Sequence, residues 1–202
     1  MSTDPARRVV ANISLSLDGR ISGLGGDFDM GWIAPHAISD EARDHMIAVT
    51  SPATTALLGR KNAQGFAGYW PSVADDEQAD ARDRAFSAWL TATDKVVFSA
   101  TVSHADDVGW ADARVTADGP AAVVAELRTQ SGGDIVVLSS TSIIQALLAA
   151  DQLDRLCITL CPEVVGGGRR LLGDDLDASS WSLVSSTPTA TGAVCLIYDR
   201  RR

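Results

Sequence analysis

The sequence predicts an α/β protein built on a mixed, mostly parallel sheet with flanking helices and a C-terminal antiparallel hairpin. Three observations carry that reading. Short apolar, β-branched runs alternate with amphipathic helical stretches through most of the chain, the order that yields parallel strands joined by crossover helices. The last two strand-like runs, "WSLVSS" and "AVCLIYD", are separated only by the turn-forming "TPTATG", so they read as a hairpin. The 202 residues, 46% hydrophobic and 21% charged, are enough for one well-buried core, and no linker, repeat or low-complexity tract divides them.

Each element follows from local chemistry. "RRVVANISLSLDG" is a long first strand ending in an Asp-Gly turn. "ISGLGGDFDMGWIAP" has no apolar period and is too long for a tight turn, which marks it as a candidate functional loop. "ISDEARDHMIAV" reads as a helix, capped by Ser39 and acidic in its first turn. "ATTALLG" is a short buried strand, "QADARDRAFSAWLTAT" an amphipathic helix, and "KVVFSAT" the next strand. Residues 102–118 are irregular, with "ARVT" a short strand. "GPAAVVAELRTQSGG" is a helix closed by Gly132 and Gly133. "DIVVLSSTSIIQALLAADQLDRLCITL" then supplies strand, hydroxyl cluster, helix and strand.

Composition excludes several function classes. A net charge of −9 with no local basic stripe argues against nucleic acid and anionic membranes as partners. "MSTDPARRVVANI" has no apolar signal-like core and no run approaches membrane-spanning length, so a cytoplasmic location is expected. Three cysteines make no disulfide framework. Cys157 and Cys161, four apart in a strand, share one face and lack partner ligands for a metal, so core packing is expected of both.

Three strand ends carry the polar signal: "LLGRKN" (57–62), "VVFSAT" (96–101) and "VVLSSTS" (136–142). Taken singly, each has a plain reading: a solvated charged turn, a pair of turn hydroxyls, and a capping box of Ser142 with Gln145. In an open parallel sheet, however, these ends converge on one crevice. That crevice would combine two cations, a row of hydroxyls and helix N-termini, which suits a multiply phosphorylated ligand. Adjacent cations rather than an acid after a strand favour a 2′-phosphate, hence NADP over NAD. "GLGGDF" lacks dinucleotide-fingerprint spacing and "VVGGGRRLL" lacks that of a P-loop. With histidine only at 36, 45 and 104 and no Gly-x-Ser-x-Gly, a hydrolase triad is poorly supported.

"VVANISLSLDGRISG", "LLGRKNAQGFAGYWP", "KVVFSAT", "DIVVLSSTSIIQALLAADQLDRLCITLCPEVVGGGRRLL" and "GAVCLIYD" together resemble the dihydrofolate reductase-like superfamily. The nearer branch is the RibD C-terminal family, the reductase domain of riboflavin biosynthesis, and this chain resembles a stand-alone member. The likeness covers about residues 8–199 of one domain. It implies a three-layer dihydrofolate reductase-like fold, NADPH as cofactor, hydride transfer to a small-molecule substrate, and a homodimer. By the same likeness Ala11 would meet the nicotinamide carboxamide, and Leu17, Asp18 and Gly19 would begin a loop closing over it. Gly59, Arg60, Lys61 and Asn62 would hold the adenosine phosphate and pyrophosphate. Ser99, Ala100 and Thr101 would line the adenosine, and Ser139, Ser140, Thr141, Ser142 and Ile143 would run along the pyrophosphate.

The sequence also departs from that pattern. Ser139 stands where the family usually has Gly, and Asn62 and Ala63 where Thr and an aromatic are common. Ala37 falls at the substrate carboxylate of true dihydrofolate reductases. The loop that handles the ribityl phosphate in the riboflavin enzymes is replaced by "AQGFAGYWP". Asp29, Trp32 and His36 are the candidate substrate contacts, with Asp29 and His36 the candidate catalytic groups. The expected reaction is NADPH-dependent reduction of a C=O or C=N carbon on a heterocyclic or sugar-like substrate, by resemblance like 5-amino-6-(5-phosphoribosylamino)uracil reductase. Solvent or His36 would supply the proton, and loop 22–31 would act as a lid. The alternative is a non-catalytic nucleotide- or pterin-binding protein on the same fold, favoured by Ala37 and Ser139.

Overall fold

The computed structural model describes residues 7–173 and 176–202. Its elements are β1 (Val9–Ser16), α1 (Ala34–Ala37), α2 (Asp40–Thr50), β2 (Ala53–Gly59), α3 (Arg60–Tyr69), α4 (Ala81–Ala92), β3 (Asp94–Phe98), β4 (Arg114–Thr116), α5 (Pro120–Leu127), β5 (Asp134–Leu138), α6 (Thr141–Ala149), β6 (Arg155–Cys161), β7 (Ser180–Pro188) and β8 (Val194–Arg201). An eight-stranded sheet runs in the order β4-β3-β2-β5-β1-β6-β8-β7. Strands β1 to β6 pair in parallel, while β8 is antiparallel to both β6 and β7. The predicted fold class is the observed one.

Strand periodicity divides the core between the two faces of the sheet. Val9, Ala11, Ile13 and Leu15 pack with Val124 and Leu127 of α5 and with Ile143, Ile144 and Leu147 of α6. Val10, between them, joins Val49 of α2, Ala63 of α3, and Phe86 and Leu90 of α4 on the other face. Each such fully buried aliphatic or aromatic side chain contributes about 1.5–3 kcal/mol. Cys157 and Cys161 are buried, as the alternation requires. Burial pushes their thiols up to about 12 and about 11, so neither forms a thiolate nucleophile at neutral pH.

Two local expectations need correction. The segment after β2 is not a charged turn but the helix α3, which starts at Arg60 without a connecting residue. Gly65 and Gly68 lower its intrinsic propensity, but tertiary contacts override that. Ala63 is wholly buried, and the Trp110 indole donates to its carbonyl at 3.0 Å. Helix α5 ends at Leu127, well before Gly132 and Gly133. Those glycines serve the entry to β5: a Cβ on Gly133 would sit 2.2 Å from the Pro52 carbonyl oxygen. Ser39 caps α2 as expected, its hydroxyl accepting the Ala42 N–H.

The topology then places a crevice. Strand β2 leads away toward β3, whereas its neighbour β5 leads past β1 to β6, so the two connections diverge between β2 and β5. Pairing of β1 with β5 ends at Asn12 and Leu138, while pairing with β6 continues to Ser16 and Cys161. Beyond Asn12, β1 therefore has a strand on one side only, and the opening begins there.

Candidate active-site cleft

A cleft of about 870 Å³ opens at the carboxyl ends of the parallel strands, with Ile13 and Ser14 of β1 in its lining. Two helix starts meet on its wall beside Arg60 and Lys61. Helices α3 and α6 start at Arg60 and Thr141, and neither has a side-chain cap. Their first-turn N–H groups have no intrahelical acceptor and carry the positive ends of the helix dipoles. Both starts, residues 59–62 and 139–142, line the cleft.

Ser140 fixes the two helix starts to each other. Its hydroxyl accepts the Gly59 N–H at 2.9 Å and donates to the Leu138 carbonyl at 2.9 Å. The Asn62 amide donates to Ser139 O at 2.8 Å and approaches the Ser140 hydroxyl at 3.2 Å. Asn62 is thus a brace across β2 and β5, which accounts for an amide at this position. The capping box expected of Ser142 and Gln145 does not form: Ser140 holds the N-cap position, and Gln145 instead donates to Leu171 O at 2.8 Å. Ser142 is left exposed on the cleft wall. Ser139 adopts φ +49°, a left-handed conformation that costs a non-glycine residue about 1–2 kcal/mol. Strain of this kind persists where the surroundings over-determine it, commonly at functional sites.

The glycine-rich loop after β1 reaches the start of α3. Asp27 accepts from Lys61 Nζ at 3.0 Å and from Arg169 at 3.1 Å, and the Lys61 and Arg169 hydrogen bonds hold its carboxyl below the usual range. All three side chains are more than a third exposed, so the network is a weak tether rather than a clamp. The loop is backed by the glycine run at 166–168. A Cβ on Gly168, which has φ +85°, would lie 2.0 Å from the Ser22 carbonyl oxygen. That close approach explains "GGGRR" without a phosphate.

Past β3, the Ser99 hydroxyl accepts the N–H groups of Thr101 and Val102 and shapes the turn. Phe98, Ser99, Ala100 and Ser142 line both the main cleft and an adjoining cavity of about 310 Å³, which reaches Thr116, Gly119 and Ile143. The lining also has apolar residues, Ile13, Ile21, Ile33, Phe66 and Trp70, with Phe28 and Tyr69 mostly exposed and the Lys61 ammonium 5.6 Å over the Phe28 ring. Trp70 is propped edge-on against Phe86 at 4.5 Å. Ser22 is also among the lining residues, its hydroxyl oxygen enclosed without a hydrogen-bond partner.

Of the sequence-predicted residues, the cleft brings together Gly59, Arg60, Lys61, Asn62, Ser99, Ala100, Thr101, Ser139, Ser140, Thr141 and Ser142. Others lie elsewhere. Ala11 is fully buried and paired on both sides, to Val137 and Leu156. Leu17, Asp18 and Gly19 form the turn that follows β1. The Asp18 carboxylate takes the Ser16 hydroxyl at 2.7 Å, the Val165 and Gly166 N–H groups at 3.1 and 3.0 Å, and Arg20. These bonds, the Ser16 one foremost, hold it far below the usual carboxylate range against a smaller desolvation effect.

The three candidate substrate contacts are also placed off the cleft lining. Asp29 braces the loop from within: its carboxylate accepts the Gly25 N–H at 3.0 Å, and it leaves no room for a Cβ on Gly23. Trp32 has its indole nitrogen enclosed without a partner. His36 is 5% exposed, its ring held between Thr191 at 3.1 Å and Glu163 at 3.3 Å. It ties α1 to the β7–β8 turn, because a buried imidazole takes whatever partners enclose it. Sequence reading overlooked Ser22, Asp27, Arg169 and the aromatic wall. The wall had a signal: Phe66, Tyr69 and Trp70 recur at helical spacing once α3 is recognised.

The chain is 23% identical over 192 residues to the uncharacterised protein YyaP of Bacillus subtilis strain 168, covering 95% of this chain and 94% of that one. Its fold matches a putative riboflavin biosynthesis protein from Shewanella sp. PV-4, with a TM-score of 0.69 at 19% identity over 96% of this chain and 99% of that one. It also matches dihydrofolate reductase from Enterococcus faecalis complexed with NADP(H), with a TM-score of 0.62 at 15% identity over 96% and 97% of the two chains. The RibD C-terminal domain model matches residues 7–195, and the chain belongs to that family.

Proposed function

We propose that the protein is an NADPH-dependent reductase. The observation that carries this reading is the pair of uncapped helix N-termini, α3 and α6, locked together by Ser140 beside Arg60 and Lys61. Such an arrangement stabilises phosphate through backbone N–H groups and cationic side chains at once. Gly59 to Asn62 and Ser139 to Ser142 would hold the phosphates, and Ser99 to Thr101 with Ile143 would enclose the adenosine in the adjoining cavity. The residues fit the cofactor in size and charge: the cleft and that cavity share a wall on which the exposed Ser142 stands, and the exposed Ser139 lines the cleft beside it. The Enterococcus enzyme of like fold was solved with NADP(H), which supports the same choice.

When bound, NADPH supplies a hydride from its nicotinamide ring. The chain's own residues bind and orient. Ile13 and Ser14 form the floor at the open side of β1, and the 22–31 loop, tethered through Asp27, covers the cleft and excludes water. His36 and Asp29 are committed to structural partners, so solvent is the proton source in this reading. The homodimer is a proposal of the same kind. Leu183 and Val184 on the edge strand β7, both more than half exposed, are the surface a second copy would cover. No helix among the described residues is long and apolar enough to cross a membrane.

Titration with NADPH and NADH, followed by tryptophan fluorescence, tests the reading. NADPH should bind the wild type more tightly than NADH, and Arg60→Ala/Lys61→Ala should lose about 10–100-fold in NADPH affinity, as expected for lost charge-assisted contacts. Absence of NADPH binding overturns it. Binding without oxidation across a carbonyl panel would favour the second reading, a non-catalytic nucleotide-binding protein, for which the strained Ser139 is the supporting observation.

A further inference from the structure

The glycine-rich loop is joined to the body of the protein through one carboxylate. Hydrogen bonds made by residues 23–29 otherwise stay inside the loop: Gly23 to Asp29, Gly26 to Gly23, Asp29 to Gly26, Met30 to Phe28, and Gly25 to the Asp29 carboxylate. Asp27 is the exception among the described residues. One of its oxygens accepts from Lys61 at 3.0 Å and the other from Arg169 at 3.1 Å. Residues 24–30 around it are all exposed.

The two cations come from opposite flanks of the crevice. Lys61 stands in the first turn of α3, which follows β2. Arg169 follows β6, and its carbonyl accepts the Ile21 N–H at 2.8 Å just past β1. Both stems are fixed from below, by Ser140 at the start of α3 and by Gly168, which packs on the Ser22 carbonyl where no side chain fits. Both side chains line the cleft, about half exposed at 55% and 51%. Among the described residues, Asp27 is the one hydrogen-bond partner of either charged group. One cation per oxygen suits a ligand phosphate or carboxylate as well as it suits Asp27. A pair this exposed is a weak tether, and a more highly charged phosphate attracts the same two cations more strongly.

We infer that Lys61 and Arg169 form an anion seat, filled in the free protein by Asp27 and in the complex by a phosphate or carboxylate of the ligand. Binding is then an exchange of anions. Asp27 leaves as the ligand enters, and the loop, its one polar attachment lost, is held by the ligand beneath it. Phe28, its ring 5.6 Å below the Lys61 ammonium, takes part in the same exchange. The inference rests on the reductase reading only for the identity of the ligand.

The test is calorimetric titration of the full chain with inorganic pyrophosphate at low ionic strength. Arg169→Gln should weaken pyrophosphate about fivefold, since the amide keeps only a neutral donor. Asp27→Asn should tighten it about threefold, a gain that a misfolded variant does not imitate. In a Lys61→Gln/Arg169→Gln background, Asp27→Asn should gain nothing, because the seat it vacates is gone. Unchanged affinity in Arg169→Gln overturns the inference. So does an Asp27→Asn gain that survives loss of both cations, and so does failure of wild type and Asp27→Asn alike to bind pyrophosphate. Repeating the titration on NADPH-saturated protein tells the sources apart. Binding that is lost gives the seat to a cofactor phosphate, and Arg169-dependent binding that remains gives it to an anionic group of the substrate. Absence of NADPH binding sinks the reductase reading, while the pyrophosphate series judges the seat by itself.

Discussion

The two edges of the parallel sheet use arginine in opposite ways. At the amino edge, Arg8 pairs with Asp134 at 2.7 Å, Arg155 with Asp199 at 2.6 Å, and Arg128 with Asp154 at 2.5 Å. Arg7, 6% exposed, spends its guanidinium on Gly133 O, Leu127 O and the hydroxyls of Thr54 and Thr55. Apart from Arg128 Nε, which is buried without a partner, the donors named there are answered within the fold. At the carboxyl edge, Arg60, Lys61 and Arg169 surround open space beside two uncapped helices, with Asp27 the carboxylate that answers Lys61 and Arg169. Residue type does not separate structure from function in this chain. Satisfaction of the donors does.

Substitutions can break this contrast at either edge. The largest effect is expected from Arg7→Ala, which strips partners from two carbonyls and two hydroxyls; urea unfolding should show a loss of about 3–4 kcal/mol with NADPH affinity retained. Arg60→Ala should do the reverse, leaving stability within about 0.5 kcal/mol.

His45 on α2 probes the interior between the edges. Burial pulls its pKa down to about 4 from 6.5, and its Nε2 has no partner. Between those values the unfolded chain binds the proton and the folded one does not, so stability is full above pH 6.5 and falls as the pH drops toward 4. The loss reaches about 3 kcal/mol, and His45→Gln should flatten that slope in unfolding midpoints measured across the window.

Two smaller effects sharpen the picture at the carboxyl edge. Ser139→Gly relieves the left-handed strain and should raise stability by about 0.5–1 kcal/mol in a thermal melt, because glycine's greater unfolded-state freedom offsets part of the gain. Asp27→Asn removes an anion that competes with phosphate for Lys61 and Arg169. NADPH should then bind about threefold tighter at low salt, with the gain fading above about 0.5 M salt.

Most of the architecture was legible because strand alternation and turn residues are local signals. β2 runs Ala53–Gly59 where the apolar run lies, Ser39 caps where its spacing requires, and the hairpin of β7 and β8 follows from its turn. The helix α3 was not, because Gly65 and Gly68 argue against it, whereas the packing of Ala63, Phe66 and Ala67 that favours it is tertiary. At the site, the three polar strand ends converged as topology dictates. The hydroxyl cluster had a third answer that neither capping nor phosphate binding anticipated for Ser140, which joins two strands. His36 and Asp29 looked chemical because their side chains are chemical. Their partners, Glu163, Thr191 and Gly25, lie in contacts that no spacing rule encodes.

The Ser140 junction also has a dynamic consequence. Because Gly59, Leu138 and Asn62 all bond to one buried hydroxyl, the distance between the α3 and α6 starts is set before any ligand arrives. Amide hydrogen exchange at Gly59 should then be slow in the free protein and change little when ligand is added, whereas amides of the 22–31 loop should slow markedly. The rigid part of the site would act as a fixed gauge for its ligand's length, and the entropy of ordering would be confined to the loop that covers it.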